Sequence, residues 1–249
     1  FIAACESVGI PKTNDYNGES QVGASVVQST IKQGKRISGA TAFLTPILDR
    51  PNLTAITRAH VEKIIIEDSA AIGVQYTKGS KTNQVLANKE VLLSAGSFQS
   101  PQLLMLSGIG DSKELQSHGI ECKKELKGVG KNLQDHLFFP ICNESTIQEG
   151  VNHKATLINQ IRGAWDYFVH KKGVFSTSPL EGMAFFDVNQ KGEDVNFQLH
   201  FSPMWLGNKY GYDAYDLSTF PREDGFTIFP TLLHPKSRGT VSLSSKDPK

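Results

Sequence analysis

The stretch GSFQSPQLLMLSGIG, from Gly96 to Gly110, decides the fold of this chain. Ser100 has the hydroxyl of a helix N-cap residue, and Pro101 follows at the first helical position, where a missing N–H costs nothing. Apolar residues continue from there until Gly108, a residue type that commonly ends helices. The stretch therefore predicts a short apolar helix enclosed by two glycine turns.

The residues before Gly96 extend this pattern. Glu90–Ala95 is a short apolar run bounded by polar residues, which predicts a buried strand leading into the turn. The expected unit is a strand, a turn of small residues and a helix. Such a unit occurs both in cofactor-binding folds and in proteins without a ligand, so the unit by itself leaves both interpretations open.

The stretch resembles the second signature of the glucose-methanol-choline (GMC) oxidoreductases, flavoenzymes that oxidise alcohols. The resemblance covers these positions: Gly96, Ser97, Ser100, Pro101, Leu103, Leu104, Ser107, Gly108, Ile109 and Gly110. Other parts of the chain are similar to blocks of the same family and follow in the family's order: RISGATAFLTP at 36–46, RPNL at 50–53, GVGKNLQDH at 128–136 and SRGTVSL at 237–243. The resemblance thus extends over nearly the whole chain.

The bulk composition excludes several classes of protein. The chain has 249 residues, 39% of them hydrophobic, which is enough for a substantial core. Lys+Arg 26 against Asp+Glu 25 leaves no charge pattern for binding nucleic acid. Three widely spaced cysteines form no metal or redox motif and favour a reducing, cytoplasmic setting, and we expect no metal site.

The two ends of the sequence favour an internal fragment that lacks both termini. The chain opens on Phe1 and closes on Lys-Asp-Pro-Lys, and it contains no GxGxxG turn of the kind that binds a dinucleotide pyrophosphate. By resemblance, that turn and the catalytic histidine near the C-terminus lie outside this sequence. We therefore expect the isolated chain to have little FAD affinity and no alcohol-oxidising activity.

The expected fold class is α/β (α+β), in two domains. By resemblance, residues 1–140 are part of an FAD-binding, Rossmann-like domain with a β-meander, and residues 141–249 are part of a substrate-binding domain with an antiparallel sheet and helices. Helices are predicted around 2–8, after Asp111 or Ser112, and at 155–172. Short branched apolar runs predict the strands, at 53–57, 61–66, 71–77, 84–86, 183–188, 195–201, 226–233 and 240–243.

The resemblance implies FAD as the cofactor and indicates residues near it. Val61 corresponds to a valine whose backbone contacts the adenine, although a strand-core role would also account for it. The small residues Ser94, Ala95 and Gly96 correspond to positions that pass close to the ADP half, where bulky side chains would interfere. Asn132 lies in the glycine-rich loop expected near the flavin.

The resemblance also implies residues on the substrate side. Glu181 lies in a stretch similar to one that presents a glutamate to the pocket. His200 lies in a strand whose alternation groups Asn196, Gln198 and His200 on one face. A solvated sheet face would produce the same alternation, but the resemblance favours pocket residence, where His200 would assist catalysis. His136 follows Asp135 directly in a loop that is architectural in the family, so we do not assign it a catalytic role.

The family's chemistry is the oxidation of an alcohol to an aldehyde, by hydride transfer to the flavin. Electrons then pass to O2 or a quinone. Choline is a compatible substrate, because Glu181 could attract its quaternary ammonium and aromatic rings could make cation–π contacts with it. The candidate rings are Trp205, Tyr210, Tyr212 and Tyr215. The alternatives are a hydroxynitrile-lyase-like enzyme on the same scaffold and a catalytically incompetent fragment.

Overall fold

The computed structural model describes residues 1–189, 195–207 and 219–249. Among these are four α-helices: α1 (Ile2–Ser7), α2 (Gly96–Leu106), α3 (Ser112–Ser117) and α4 (Leu157–Trp165). Short 3-10 turns occur at Thr45–Ile47, Asn152–Lys154 and Val174–Ser176, and π-helical turns at Ala40–Leu44 and Asp166–His170. No described helix is long and apolar enough to cross a membrane.

The strands of the described residues are β1 (Gly23–Val26), β2 (Ile31–Lys32), β3 (Lys35–Arg36), β4 (His60–Glu67), β5 (Ala70–Lys78), β6 (Lys81–Leu86), β7 (Ile109–Gly110), β8 (Lys124–Glu125), β9 (Leu137–Phe138), β10 (Ile141–Glu144), β11 (Gly182–Phe186), β12 (Phe197–Ser202) and β13 (Gly225–Leu232). Except for the parallel pair β7–β8, all of these strand pairs are antiparallel. The mixed α/β class expected from the sequence is confirmed.

The chain forms two compact units, and each is built from two separate stretches of sequence. Unit one comprises residues 1–49 and 135–235, and unit two comprises residues 50–134 and 236–249. The division at residue 140 supposed that each domain is continuous in sequence. Both of its parts differ from the compact units. Residues 1–49 belong to unit one, where β1 pairs with β11, and the last fourteen residues contact the 128–134 loop, as in the hydrogen bond from Val241 N to Gly130 O. The functional assignment of the two domains stays a prediction.

Unit one is built on a six-stranded antiparallel sheet. The strand order is β1-β11-β12-β13-β10, and β9 pairs with β13 as well. In this register His200 lies opposite Met183 on one side and Phe229 on the other. Neighbouring residues in a strand face opposite sides of a sheet, so Gln198, His200 and their cross-strand partners share one face. We call this surface the polar face; the alternation predicted for the strand at 195–201 is confirmed.

The opposite face of this sheet is covered by α1. Ala24 and Ala184 are fully buried there together with Cys5. The Phe1 ring stacks on Phe201 with a centroid distance of 5.2 Å. A Cβ added at Gly182 would lie 2.5 Å from the Phe1 ring, so only glycine fits beneath it. Small residues on the central strands thus allow the helix to approach the sheet closely.

Helix α4 confirms the central part of the helix predicted at 155–172, but the α-helix already ends at Trp165. Thr156 caps it by accepting a hydrogen bond from Asn159 N, and the π-helical turn continues it to His170. Gly163 faces the body of unit one, where an added Cβ would lie 3.1 Å from the Phe175 ring. The apolar side faces outward and consists of side chains that are 53–78% exposed: Leu157, Ile158, Ile161, Trp165, Phe168 and Val169.

Unit two contains the predicted meander, formed by β4, β5 and β6. The run at 53–57, predicted as a strand, is irregular and lies outside this sheet. Helix α3 forms as predicted: the Asp111 carboxylate accepts hydrogen bonds from Lys113 N and Glu114 N and so caps its first turn.

The start of helix α2 differs from the prediction. The helix begins at Gly96, so Ser100 and Pro101 lie inside it. The Ser100 hydroxyl still accepts a backbone N–H, but from Ala95 at 3.1 Å, which ties the residue before the helix to its first turn. Gly96 has φ +89°, a conformation that favours glycine and lets the chain turn into the helix five residues earlier. The predicted glycine stop is confirmed at Gly108, whose N–H donates to Met105 O.

Two further predicted strands do not form. Residues 90–95 and 240–243 have no ladder partner among the described residues. An apolar run becomes a strand only where a second backbone satisfies its N–H and C=O groups, and Leu92 is 81% exposed instead of buried. Directly before the second segment, Gly239 forms a single isolated bridge with Leu133.

We predict that Gly130→Ala destabilises unit two by about 2 to 5 kcal/mol, because overpacking and a left-handed backbone act together. Gly130 has φ +74°, and a Cβ there would lie 2.1 Å from the Val241 carbonyl oxygen. Gly128→Ala is the matched control, since its added Cβ meets nothing within 4 Å. Urea unfolding of both variants is the measurement, and equal midpoints would contradict the prediction.

Candidate functional site

Helix α2 separates two cavities in unit two. The smaller has a volume of about 220 Å³, and the predicted cofactor residues Val61 and Ala95 both line it. The remaining lining residues are Ala59, His60, Gln99, Gln102, Leu103, Leu106 and Pro248. The fold thus brings together the β4 residue and the small residue before the helix, although the whole β-meander separates them in sequence.

The larger cavity of unit two, about 490 Å³, contains Asn132. It is lined on one side by α2 residues such as Ser97 and Ser100, and on the other by the loop that includes Gly130 and Lys131. Asn132 has φ +63°, the left-handed region that asparagine tolerates better than most residues. Val61, Ala95 and Asn132 are therefore distributed over two cavities on either side of one helix, whereas Ser94 and Gly96 line neither cavity.

The substrate candidates lie in unit one, on neighbouring strands. Glu181 directly precedes β11, and its N–H donates to Phe201 O in β12. Continuing the register places Glu181 opposite Ser202, one pair beyond Met183 and His200. Glu181 and His200 are thus diagonal neighbours on the polar face, a relation that separates residues by about 7–8 Å.

His200 lines a cavity of about 410 Å³ together with His136. Its other walls are Asp135, Phe138, Leu180, Phe229 and Thr231. Burial lowers the pKa of the His200 imidazole, and the nearby His136 lowers it further. A lowered pKa keeps the ring neutral near pH 7, where it can accept or donate a hydrogen bond without carrying charge.

The neighbouring residues Asp135 and His136 do not form a ring–carboxylate pair. The Asp135 carboxylate accepts a hydrogen bond from the backbone N–H of His136 at 2.8 Å. This contact fixes the loop instead of orienting the imidazole.

Glu181 lines a different and larger cavity, of about 670 Å³, beneath α4. His153, Phe175 and Met204 also line it, as do the cationic residues Lys154 and Arg162. Both cationic side chains are exposed. The sequence grouped Glu181 with His200; the structure places both on the polar face but in separate cavities.

A buried polar cluster next to this cavity was missed by the sequence analysis. The Asp224 carboxylate, which is buried, accepts hydrogen bonds from Gly150 N at 3.1 Å, from His153 N at 2.9 Å and from His153 Nδ1 at 2.5 Å. Burial raises the pKa of Asp224, but the hydrogen bonds from His153 and Gly150 and the attraction of His153 outweigh it, so the pKa is lowered overall. His153 and Asp224 are 71 residues apart in sequence, so no local pattern could have revealed the pair.

Asn152 adds a second contact to the same cluster. Its side-chain amide donates to Trp205 O and Pro221 O, and its side-chain oxygen accepts from Trp205 N. The Trp205 side chain is buried, and its indole Nε1 has no hydrogen-bond partner among the described residues. The other predicted aromatic residues, Tyr210, Tyr212 and Tyr215, lie outside the described residues.

Within the described ranges, no group of three or more His, Cys, Asp or Glu side chains is arranged to hold a metal ion. Cys5, Cys122 and Cys142 are free thiols.

Comparison with known proteins identifies the family. The sequence profile described as GMC oxidoreductase matches residues 1–138, which is more than half of the 249 residues. The chain belongs to the GMC oxidoreductase family.

Curated relatives include two proteins named oxygen-dependent choline dehydrogenase. The one from Sinorhizobium medicae is 38% identical over 100% of this chain, and the one from Rhizobium rhizogenes is 39% identical over the same share. Each alignment covers 44% of the relative. The chain therefore spans less than half the length of the curated relatives it matches.

Solved structures share the fold. A formate oxidase aligns with a TM-score of 0.83 and 27% identity, over 98% of this chain and 46% of that protein. An FAD-dependent oxidoreductase from Chaetomium thermophilum aligns with a TM-score of 0.76 and 23% identity, over 99% of this chain and 48% of that protein. The α/β fold is thus that of the family, whose cofactor is FAD.

Unit two has features that fit FAD. Ser94, Ala95 and Gly96 are small and exposed, and at Gly96 an added Cβ would meet nothing within 4 Å. The backbone there is open to an approaching ligand. The first N–H groups of the 11-residue helix α2 follow directly, and a helix N-terminus favours the negative charge of a phosphate group.

We predict that Asp224→Asn lowers the free energy of unfolding by about 2 kcal/mol at pH 7, because hydrogen bonds to a charged acceptor are lost. The pKa of Asp224 is lowered in the folded state. Its stabilising contribution is therefore complete above the unfolded pKa of about 3.9 and is lost as the pH falls through the folded value. Urea unfolding at several pH values should show that the difference in unfolding free energy between wild type and variant decreases as the pH becomes acidic.

The exposed Asp247 is the control for this experiment. Asp247→Asn should leave the unfolding free energy within about 0.5 kcal/mol of wild type across the same range. If the difference in unfolding free energy between wild type and Asp224→Asn stays constant down to strongly acidic pH, the ionised Asp224 carboxylate does not provide the stabilisation.

We predict that His136→Asn raises the pKa of His200 but leaves it below its ordinary value. The substitution removes the repulsion from His136, whereas burial, the larger cause, remains. An NMR titration of the His200 ring protons is the measurement, and His234→Asn is a control at a histidine outside this cavity. An unchanged His200 titration midpoint would show that the two imidazoles do not interact.

Proposed function

We propose that the protein oxidises an alcohol to an aldehyde with FAD, and that its substrate is a quaternary ammonium alcohol of the choline type. Family membership supports the flavin chemistry. The names of the curated relatives, choline dehydrogenases at 38–39% identity, support the substrate class.

The observation that carries the proposal is the arrangement on the polar face of unit one. Glu181 and His200 lie on neighbouring strands, two residues apart in register, and each lines a cavity. A carboxylate and a neutral imidazole at this separation suit a small molecule that carries a positive charge at one end and a hydroxyl at the other.

Each residue has a distinct part in this proposal. The Glu181 carboxylate attracts the ammonium group, and the Phe175 ring in the same cavity adds a cation–π contact of about 0.5 to 2 kcal/mol. His200 hydrogen-bonds the substrate oxygen and assists catalysis. Because its pKa is lowered, it does so without adding a positive charge near a cationic substrate.

The cofactor residues proposed for unit two are Val61, Ser94, Ala95, Gly96 and Asn132. When bound, FAD accepts the hydride that leaves the alcohol carbon. The small residues at 94–96 allow its ADP half to approach the backbone, and the first turn of α2 offers N–H donors to it. We propose O2 or a quinone as the final electron acceptor; the relatives are named oxygen-dependent.

The test uses the protein expressed from its complete reading frame and loaded with FAD. Choline is added without oxygen, and the absorbance of the oxidised flavin is followed. We expect choline to reduce the flavin. A flavin that no alcohol reduces, together with release of cyanide from a cyanohydrin, would replace the proposal with lyase chemistry.

We predict that Glu181→Gln weakens choline binding about 10-fold, because the substitution removes the charge that attracts the cation. Binding of a neutral alcohol of similar size should change by less than about threefold, since a hydrogen-bonding side chain remains. Steady-state KM or flavin-reduction titrations measure both. Glu144→Gln, at an exposed glutamate of β10, is the control.

A further inference from the structure

His153 is held in one orientation by a buried carboxylate. Its backbone N–H and its ring Nδ1 both bond to Asp224, at 2.9 and 2.5 Å. The Asp224 side chain is 1% exposed, whereas that of His153 is 27% exposed. The two contacts fix both the backbone position and the rotation of the ring, so the free side of the imidazole has a defined direction.

The contact with Asp224 also determines which ring nitrogen of His153 carries a proton. An ionised carboxylate only accepts hydrogen bonds, so Nδ1 carries the proton and donates it. In the neutral ring, Nε2 is then left with a lone pair. No described residue bonds to this nitrogen. A histidine oriented by a carboxylate, with a free Nε2, is suited to accept a hydrogen bond from a ligand hydroxyl.

His153 lines the same cavity as Glu181. The cavity, about 670 Å³, is therefore lined by two acidic residues, an aromatic ring and an oriented imidazole: Glu181 and Asp166, Phe175, and His153. Lys154 and Arg162 also line the cavity, and both are exposed, as is Glu181. The acidic residues, the Phe175 ring and the His153 imidazole together suit an organic cation that carries a hydroxyl group.

We infer that His153, positioned by Asp224, is a ligand-binding residue that selects hydroxyl-bearing cations in the Glu181 cavity. This inference rests on the proposed function, since it takes Glu181 as the group that holds the cation. It adds a second polar contact, made by a residue that no sequence motif indicates. Asp224 acts through His153 and is a positioning residue.

The test compares two ligands that differ only in the hydroxyl group, choline and ethyltrimethylammonium. Their dissociation constants for the whole chain are measured by NMR titration. A single hydrogen bond corresponds to a roughly 3- to 10-fold preference for choline in the wild type. His153→Leu should lower this preference severalfold, to what the remaining contact of His200 supplies, and leave the affinity for ethyltrimethylammonium unchanged. His153→Gln, which keeps an acceptor, should retain part of it.

Two further variants separate positioning from structure. Asp224→Asn should reduce the preference for choline, because the ring is no longer held by a carboxylate, with the affinity for ethyltrimethylammonium again unchanged. His234→Leu is the matched control: His234 is exposed and does not line the cavity, so both affinities should stay at wild-type values.

The outcomes distinguish this inference from the proposed function. If His153→Leu keeps the preference for choline while Glu181→Gln weakens both ligands, the inference fails and the proposed function stands. If His153→Leu weakens both ligands equally, His153 has only a structural role and the inference also fails. If neither cation binds, or Glu181→Gln weakens neither, the proposed substrate class fails and the inference fails with it.

Discussion

The register of β12 between β11 and β13 is the constraint on which the site in unit one depends. A shift of one residue would turn His200 toward α1 and replace it on the polar face with an apolar side chain. Packing on the other face prevents this shift. Ala24 and Ala184 are fully buried beneath α1, and Gly182 leaves no room for a side chain under Phe1. The position of the candidate site is thus fixed by small residues on the face that does not contain it.

Local patterns allowed much of this fold to be predicted. Alternation in the strand around Gln198 and His200 identified both the strand and its faces, because a period of two survives any tertiary context in which one face packs. The predictions that were wrong also have a physical explanation. Ser100 and Pro101 have the residue types of a helix start, but the helix begins at Gly96, where a positive φ lets the chain turn earlier. Residues 90–95 have the composition of a strand without a described partner.

The sequence indicated some residues of the candidate site. The contacts that it did not indicate join residues that are far apart in sequence. Family blocks indicated Glu181 and His200 as candidates but gave no information on which cavity each lines. The Asp224 cluster joins segments separated by more than 70 residues, and Asn152 bonds to Trp205 over 53 residues. Such pairs leave no periodic signal in a single sequence. They arise because a buried carboxylate must satisfy its oxygens, and the nearest donors belong to a distant loop.

Charge explains why the proposed site combines a carboxylate with the neutral imidazole of His200. A cationic substrate needs one anion nearby, and a protonated histidine beside it would cancel part of that attraction. Burial, with His136 as the smaller contributor, lowers the pKa of His200 and so keeps this ring uncharged. Asp224 remains ionised because three N–H donors stabilise its charge, and it orients His153 without facing the ligand. In the proposed reaction, Glu181 therefore supplies the attraction for the cation, and the histidines supply hydrogen bonds that distinguish an alcohol from an alkyl group.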